Sequence, residues 1–554
     1  MHLTTLGCRL NEAETELWSG QFQAAGWGLC DEPSQADLIV LNSCAVTAEA
    51  TRKSRQLIGR HKRVNPAAQI VISGCVVSLP NNPADNAKAQ QHSQTALPNV
   101  DLVVPNSQKD QLVQLTFEAL FPQFARLHGP RNSADVDEET PETSVTISTA
   151  ESFTLADKPG NEPLRSSPVN ATDAATRKER VIPLYPIKAD AQDITDADVS
   201  DSTVQTHQRR RQRAFIKIQD GCRYKCTYCI VTKARGEEKS RHISTLVDEV
   251  NGLQRQGVQE IVLTGVHVGG YGSDTNESLA ALVNALLQDT AIPRIRFASV
   301  EPWDLEPSLL ALFSNKRVMP HMHLPLQSGS DSVLKRMARR CRTADFKQLV
   351  ESLRSDFPDF NVTTDIIVGF PGETENEWQQ TMAFAEEMAF GHIHIFPFSA
   401  RAGTHAATLG DQLTTSVKKQ RARQLAEIAQ NSRNQYMQQF VGRTVDVLWE
   451  TSKEIPQSGH GWENHNVGNT TENSGPQLRY IGYTPNYLRV YSDLNNSEKS
   501  GAEPIDRRRS LENLITPARL GHIETDESRS GKATWFSASV SDITDIQQQG
   551  LVFG

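Results

Sequence analysis

Cysteine is scarce in this chain of 554 residues: there are eight, and six of them fall into two sets of three. Thiols that sparse exclude a disulfide framework and point to metal ligation in a reducing compartment, the cytoplasm. Long apolar runs are absent as well. No segment approaches the ~18 consecutive apolar residues of a membrane span, so no membrane partner is expected. The opening Met1-His2-Leu3-Thr4-Thr5-Leu6-Gly7-Cys8 lacks the basic-then-apolar order of a signal peptide. A surplus of basic charge is missing too. The 57 Lys and Arg against 66 Asp and Glu leave a net charge of -9. That total does not suggest an RNA-binding protein, although acidic linkers pull the average down and leave room for local basic patches. The 38% hydrophobic and 22% charged residues suit a soluble protein with some disordered segments. The chain is too long for one core, and about three domains are expected.

One set of cysteines is packed as Cys222-Arg-Tyr-Lys-Cys226-Thr-Tyr-Cys229, directly after the strand-like Ala214-Phe215-Ile216-Lys217-Ile218. Three thiolates in a short loop hold three irons of a cubane cluster and leave the fourth open, where four cysteines normally close it. An open iron is able to chelate the amino and carboxylate groups of S-adenosylmethionine. A zinc knuckle, which needs a fourth ligand and usually CxxC spacing, and a redox pair, which needs only two cysteines, are the alternatives.

The other set is dispersed. Three short apolar runs each end in a cysteine: residues 2–8 at Cys8, 37–44 at Cys44 and 69–75 at Cys75. Helix-like patterns follow the first two, and strand–helix alternation predicts a parallel α/β sheet. The crevice of such a sheet lies at the carboxyl ends of its strands, so all three cysteines would share one edge. Three buried cysteines acting as small hydrophobes are the alternative; their common position favours a second three-cysteine site.

The CxxxCxxC spacing with Tyr228 before the last cysteine resembles the radical-SAM signature. Both triads with their flanking words resemble the methylthiotransferase family. Those words are Thr5-Leu6-Gly7-Cys8-Arg9-Leu10-Asn11, Asn42-Ser43-Cys44-Ala45-Val46-Thr47, Ala234-Arg235-Gly236, Leu324-Pro325-Leu326-Gln327-Ser328-Gly329-Ser330 and the stretch from Asp365 to Thr374. Cys44-Ala45-Val46-Thr47 and the Arg-Lys-Ser-Arg-Gln word at 52–56 resemble the branch that acts on threonylcarbamoyladenosine in tRNA. Isopentenyl-adenosine in tRNA, an aspartate of a ribosomal protein, or a non-catalytic iron-sulfur RNA-binding role are the competing readings.

The resemblance implies an α/β chain of three parts: an N-terminal parallel α/β sheet, a central partial (β/α) barrel and a small C-terminal β-barrel. The expected limits are 1–124 for the N-terminal methylthiotransferase domain, 125–211 for a disordered linker, 212–440 for the radical-SAM core, and 441–554 for a TRAM-like RNA-binding domain with polar insertions. It also implies two [4Fe-4S] clusters, S-adenosylmethionine, a tRNA substrate, a low-potential electron donor and a sulfur source. Strand ends of the core place Gly265, Ser299, Glu301, Gln327 and Asp365, with Tyr228, toward bound S-adenosylmethionine or substrate. His321, His323, His392 and His394 read as structural strand residues, and Cys30 and Cys341 as ordinary ones.

Residues 125–211 and 81–97 are polar and aperiodic, with too little apolar area to offset chain entropy. Arg209-Arg210-Arg211-Gln212-Arg213 ends the longer stretch, as a solvated linker end or an RNA phosphate contact. Strands are expected over 441–450, 478–483 and 487–491, with polar interruptions near 452–476 and 493–530. Their interleaved Arg and Tyr suit RNA phosphates and bases.

Overall fold

The computed structural model describes residues 1–79, 99–122, 212–455, 477–494, 511–526 and 533–540. The polar stretches expected at 81–97 and 125–211 lie outside the described residues.

The N-terminal unit is a parallel sheet of β1 (His2–Thr5), β2 (Leu38–Ser43), β3 (Gln69–Gly74) and β4 (Leu102–Val103), in that order. Its helices are α1 (Arg9–Ala24), α2 (Ala48–Val64) and α3 (Leu112–Leu120). Side chains alternate across β2. Leu38 and Val40 pack with Leu3, Trp18, Phe22 and Phe117, while Ile39 and Leu41 pack with Ile58, Ile70 and Ile72. Burial on both faces explains why the strand is a continuous apolar run.

The central unit has two three-stranded parallel sheets. One holds β5 (Arg213–Lys217), β8 (Glu260–Thr264) and β9 (Arg294–Phe297); the other holds β10 (His321–His323), β11 (Asn361–Val368) and β12 (His392–Pro397). Parallel bridges Ile295↔Val318 and Ser299↔His323 join them into one curved wall. A small antiparallel pair, β6 (Gln219–Asp220) with β7 (Lys239–Ser240), flanks the cysteine loop. Alternate residues such as Ile216, Ile261, Leu263, Ile295, Val362 and Ile393 face the surrounding helices in one apolar core. Trp378 is fully buried there, with its indole N–H donating to Gln424 Oε1 at 3.0 Å. Trp378→Ala should cost about 3–5 kcal/mol, read as a lowered urea midpoint; a loss under about 1 kcal/mol would show that the core closes over the gap.

The opposite row of the wall is polar. It carries Arg213, Glu260, Arg296, His321, Thr363 and Asp365, among others. Glu260 accepts from Arg296 at 2.8 Å, and His323 Nε2 pairs with Asp365 at 3.0 Å. The four strand histidines belong to this polar row: His323 shares Thr363 Oγ1 with His321, and rests against His394 at 5.3 Å between rings. Helix α1 of the N-terminal unit packs into the same concave side, where Ala13 meets Phe215, Val262 and Ala298.

At the C-terminal end, β13 (Thr444–Ile455), β14 (Gln477–Tyr483), β15 (Arg489–Leu494), β17 (Ala533–Val540) and β16 (Ile515–Asp526) close in that order into a barrel. Two of these strands, β16 and β17, fall outside the expected ones. β16 lies inside the stretch expected to interrupt the domain, and a register shift between Leu520 and Ile523 breaks the alternation that would have revealed it. The third expected strand begins later, because Tyr487 sits in a turn at φ 65°.

This barrel docks on the amino-terminal ends of the core strands. Arg213 donates to Tyr487 at 3.0 Å and pairs with Glu450 at 2.9 Å. Arg294 donates to the Tyr483 carbonyl, Arg296 to the Pro485 carbonyl, and Asn361 to the Asn486 carbonyl. Arg213 is therefore buried in a seam, neither a solvated linker end nor an RNA contact. Tyr483 and Tyr487 stack on each other at 4.9 Å beneath the Arg213 guanidinium. Arg479 is likewise engaged by Asp493 and Tyr491. Much of the interleaved Arg and Tyr is thus spent on intramolecular packing.

Candidate active site

The cysteine loop leaves the carboxyl end of β5, at the opposite end of the wall from the C-terminal barrel. Gly221 turns the chain into it with φ +72°, and a Cβ there would collide with the Glu237 carbonyl. Backbone bonds fix the loop at several points: Cys222 N to Gly236 O at 3.1 Å, Thr227 N to Met337 O at 3.0 Å and Cys229 N to Cys226 O at 3.0 Å. The short helix α4 (Val231–Arg235) follows at once, and Val231 N donates to Cys229 Sγ at 3.4 Å. Gly221→Ala should prevent the loop from closing. We expect iron bound after reconstitution to fall by about half, with the secondary structure kept; undiminished iron would show that the turn tolerates a side chain.

All eight cysteines are free thiols. Burial, followed by the neighbouring thiols, pushes Cys222 up to about 12 and Cys229 to about 11. Holding Cys222 and Cys229 as thiolates therefore requires a bound cationic group, as an iron cluster is. Cys222 also lies near Glu238 and His267, their ligand atoms within 4.8 Å of one another. His267 is held between Glu238 at 2.6 Å and Asp304 at 2.5 Å, and Tyr224 donates to Asp304 at 3.1 Å. Those polar groups mainly satisfy each other.

In the N-terminal unit the three expected cysteines stand where the alternation placed them. Cys8 precedes α1, Cys44 follows β2 and Cys75 follows β3. Gly7, at φ +114°, lets the two chains approach: a Cβ there would lie 2.9 Å from Cys44 Sγ. Asn11 ties the edge together, donating to the Leu6 and Ser43 carbonyls. Burial and then Cys8 push Cys44 up to about 12, and Cys75 adds to the same effect. Cys44 thus senses both of the other thiols.

Helix α4 joins the two sets. Ala234 packs against Cys75 and Ala45. Arg235, one five-residue helix from Cys229, donates to Asn11 Oδ1 at 2.6 Å and Glu14 at 2.8 Å and pairs with Asp220 at 3.1 Å. Glu14 also meets Lys109 at 2.6 Å and Lys217 at 3.3 Å, and Lys109 and Lys217 both pair with Asp220. Three cations face Glu14 and Asp220 in this buried knot, and the exposed Asp110 adds a third carboxylate to Lys217 at 3.7 Å. The positive charge of Arg235 lies beside Cys8 and Cys75, where thiolates would gather negative charge.

The remaining expected residues occupy the same strand edge. Glu301 is paired with Arg339 at 2.6 Å, and the Arg339 charge also acts on Tyr228 and Asp365. Gly265 follows β8 against Gln219, Ser299 bridges to His323, and Gln327 sits at φ 76° with its N–H donating to the Asp365 carbonyl. The structure gathers Tyr228, Glu301 and Asp365 around Arg339, while Gly265, Ser299 and Gln327 share the edge only through the backbone. Nearby, Trp303 Nε1 and Arg339 Nε are buried with no hydrogen-bond partner among the described residues. Orphaned donors at a strand edge fit a polar ligand. Arg339 and the Glu14–Lys109–Lys217–Asp220 knot were not anticipated, since single charges carry no periodic signal.

The profile of the Radical SAM superfamily matches residues 216–385, and that of the Uncharacterized protein family UPF0004 matches residues 1–96. The radical-SAM match implies a [4Fe-4S] cluster and S-adenosylmethionine. The Threonylcarbamoyladenosine tRNA methylthiotransferase MtaB of Bacillus subtilis is 30% identical over 88% of this chain and 88% of its own length. Its namesake from Thermotoga maritima is 32% identical over 81% of this chain and 86% of its own. The tRNA-2-methylthio-N(6)-dimethylallyladenosine synthase of Syntrophotalea carbinolica is 33% identical over 81% of this chain and 88% of its own. Identity does not separate the two substrate names, but both belong to one group, and with such coverage the chain belongs to the radical-SAM methylthiotransferase family.

Proposed function

We propose that this protein is a tRNA methylthiotransferase that converts N6-threonylcarbamoyladenosine, beside the anticodon, to its 2-methylthio derivative. It does so with two [4Fe-4S] clusters, one on Cys222, Cys226 and Cys229 and one on Cys8, Cys44 and Cys75. The observation that supports this most is the junction of both thiol sets through Ala234 and Arg235. Carbon 2 of adenine carries an unreactive C–H bond, which neither a general base nor a nucleophile displaces readily. Reductively cleaved S-adenosylmethionine supplies the one-electron chemistry that this bond needs.

The chain's own residues bind, orient and enclose. Tyr228, Glu301 and Asp365, set by Arg339, hold S-adenosylmethionine, with Gly265, Ser299 and Gln327 along the same edge. Helix α1 in the concave side of the core fixes the separation of the two cysteine sets, so that sulfur and the activated base meet at short range. An electron donor and a sulfur source are needed as further partners. In this reading residues 1–124 present sulfur, 212–440 perform the radical step, 125–211 link them, and 441–554 add an RNA-binding barrel.

The substrate choice rests on the word Cys44-Ala45-Val46-Thr47. Val46 is exposed at 48%, and Thr47 caps α2 by accepting from Ala50 N at 3.1 Å. Cys44 and Ala45 are buried, so it is the Val46–Thr47 half of the word that reaches the surface beside the thiols. A site that hydrogen-bonds the threonylcarbamoyl group rejects an apolar isopentenyl group, because its polar groups are left unpaired. Offered both tRNAs in competition, the reconstituted protein should convert the threonylcarbamoyl form by at least about a hundredfold preference. Preferred conversion of the isopentenyl form would overturn the substrate while leaving the family intact.

A further inference from the structure

The net charge of the chain is -9, yet α2 reads Ala-Glu-Ala-Thr-Arg-Lys-Ser-Arg-Gln-Leu-Ile-Gly-Arg-His-Lys-Arg-Val. Six lysines and arginines stand against one acid. The helix buries Ser54, Ile58 and His61. At 100° per residue the opposite stripe carries Arg52, Gln56, Gly59, Arg60 and Arg63, and Arg55 borders it one turn before Gly59. Arg52, Arg55, Gln56 and Arg63 are exposed. Arg52 pairs with Glu49 at 2.6 Å, whereas no carboxylate pairs with Arg55 or Arg63 among the described residues.

Gly59 lies in the middle of this stripe. A mid-helix glycine costs about 1 kcal/mol relative to alanine, and here neither backbone nor space demands one: Gly59 is not among the positive-φ glycines, and a Cβ would meet only Arg63 Nη1 at 3.9 Å. The absence of a side chain leaves a shallow notch between arginines. Such a notch lets another backbone come close.

The stripe leads toward the thiols. Arg401, in the loop after β12, donates to Thr51 Oγ1 at 3.0 Å, and Ala48 N donates to Ser399 Oγ at 3.4 Å. Burial makes the Arg401 charge costly; Cys44 eases it and Arg55 opposes it. Arg401 Nε is buried with no partner, and no carboxylate pairs with this guanidinium among the described residues. A half-buried, unpaired arginine next to another cation is satisfied by an anion from outside.

We propose that Arg55, Arg63 and Arg401, with the Gly59 notch between the first two, form a track for the RNA sugar-phosphate backbone that registers the target base against Cys44. The occupant is a ribose-phosphate strand because the track is linear, cationic and notched for a backbone. This rests on the reading of the protein as a tRNA-modifying enzyme. The C-terminal barrel sits at the far end of the core, so a grip at the cysteine end is what places one base.

The test measures binding of the full chain to tRNA carrying either threonylcarbamoyl- or isopentenyl-adenosine, as a function of salt. Arg55→Glu/Arg63→Glu should weaken both about equally, by tenfold or more, and flatten the salt slope by about 0.7–0.9 per lost phosphate contact. Arg401→Gln should lower the slope by about one contact. Gly59→Leu, which adds a side chain without touching charge, should weaken binding with the slope nearly unchanged. Iron content and urea midpoint report whether each variant is folded. Equal losses on both tRNAs uphold the track even if the substrate assignment fails. Wild-type affinity and slope in all folded variants would overturn it, as would unchanged tRNA binding with loss of reduction by an acidic electron-donor protein.

Discussion

Alanine at Cys222, Cys226 and Cys229 together should abolish cleavage of S-adenosylmethionine, by more than about a thousandfold, and remove about half of the bound iron. Alanine at Cys8, Cys44 and Cys75 should remove the other half and leave cleavage in place, while methylthiolation stops. The asymmetry follows from position. The first set lies in the loop beside Tyr228, Glu301 and Asp365, on the strand edge assigned to S-adenosylmethionine; the second lies on a different sheet. Analysis of 5'-deoxyadenosine and of iron per chain reads both outcomes. Loss of cleavage in the folded Cys8/Cys44/Cys75 variant would refute this division of labour.

Glu14→Gln should be the costliest single polar change, at about 3–5 kcal/mol. Its side chain is 2% exposed and faces three cations, Lys109, Lys217 and Arg235. Removing its charge leaves those cations with Asp220 and, for Lys217, the exposed Asp110 at 3.7 Å, and Asn42, which donates to Glu14 Oε2 at 3.4 Å, loses part of its satisfaction. The knot joins α1 to the core, so the change should loosen the two units from each other. The urea midpoint reads it, and a shift under about 1 kcal/mol would mean that the knot is not a structural tie.

The pH dependence of the same residue has a definite sign. Burial by itself raises the Glu14 pKa, but the charges of Arg235, Lys109 and Lys217 outweigh it and hold the carboxyl below its usual range. A carboxylate depressed in the folded state contributes stability that is complete above its unfolded value, about 4, and is lost as pH falls through the folded value. Wild-type stability should therefore drop below about pH 4, and Glu14→Gln should drop less steeply there.

The six cysteines were legible because their signals are local. Three share one loop, and three each end an apolar run whose two-sided burial needs a parallel sheet. The alternation that revealed β2 and β3 placed Cys44 and Cys75 on one edge without any knowledge of the helices. Arg235 was visible only as part of a family word, because its function depends on Asn11 and Glu14, more than two hundred residues away in sequence. Arg339 was invisible for the same reason: its partners Glu301 and Pro325 come from other turns of the wall. Only half of the C-terminal domain is legible in the sequence. Three strands alternate clearly, whereas β16 is bent by its register shift, and β17 pairs partly in parallel with β15. Tyr483, Tyr487 and Arg213 have a composition that suits RNA, but composition does not reveal that they face one another across a seam.

Two cysteine sets, distant in sequence, meet at one crevice, and the proposed chemistry needs a separate cluster on each. Electron paramagnetic resonance of the fully reduced, reconstituted protein tests this most directly. Wild type should show two paramagnetic centres whose signals are split or broadened by mutual coupling, and each triple-alanine variant should show one uncoupled centre. A wild-type spectrum equal to the simple sum of the two variants would place the clusters apart, and a single centre in wild type would remove the second cluster altogether.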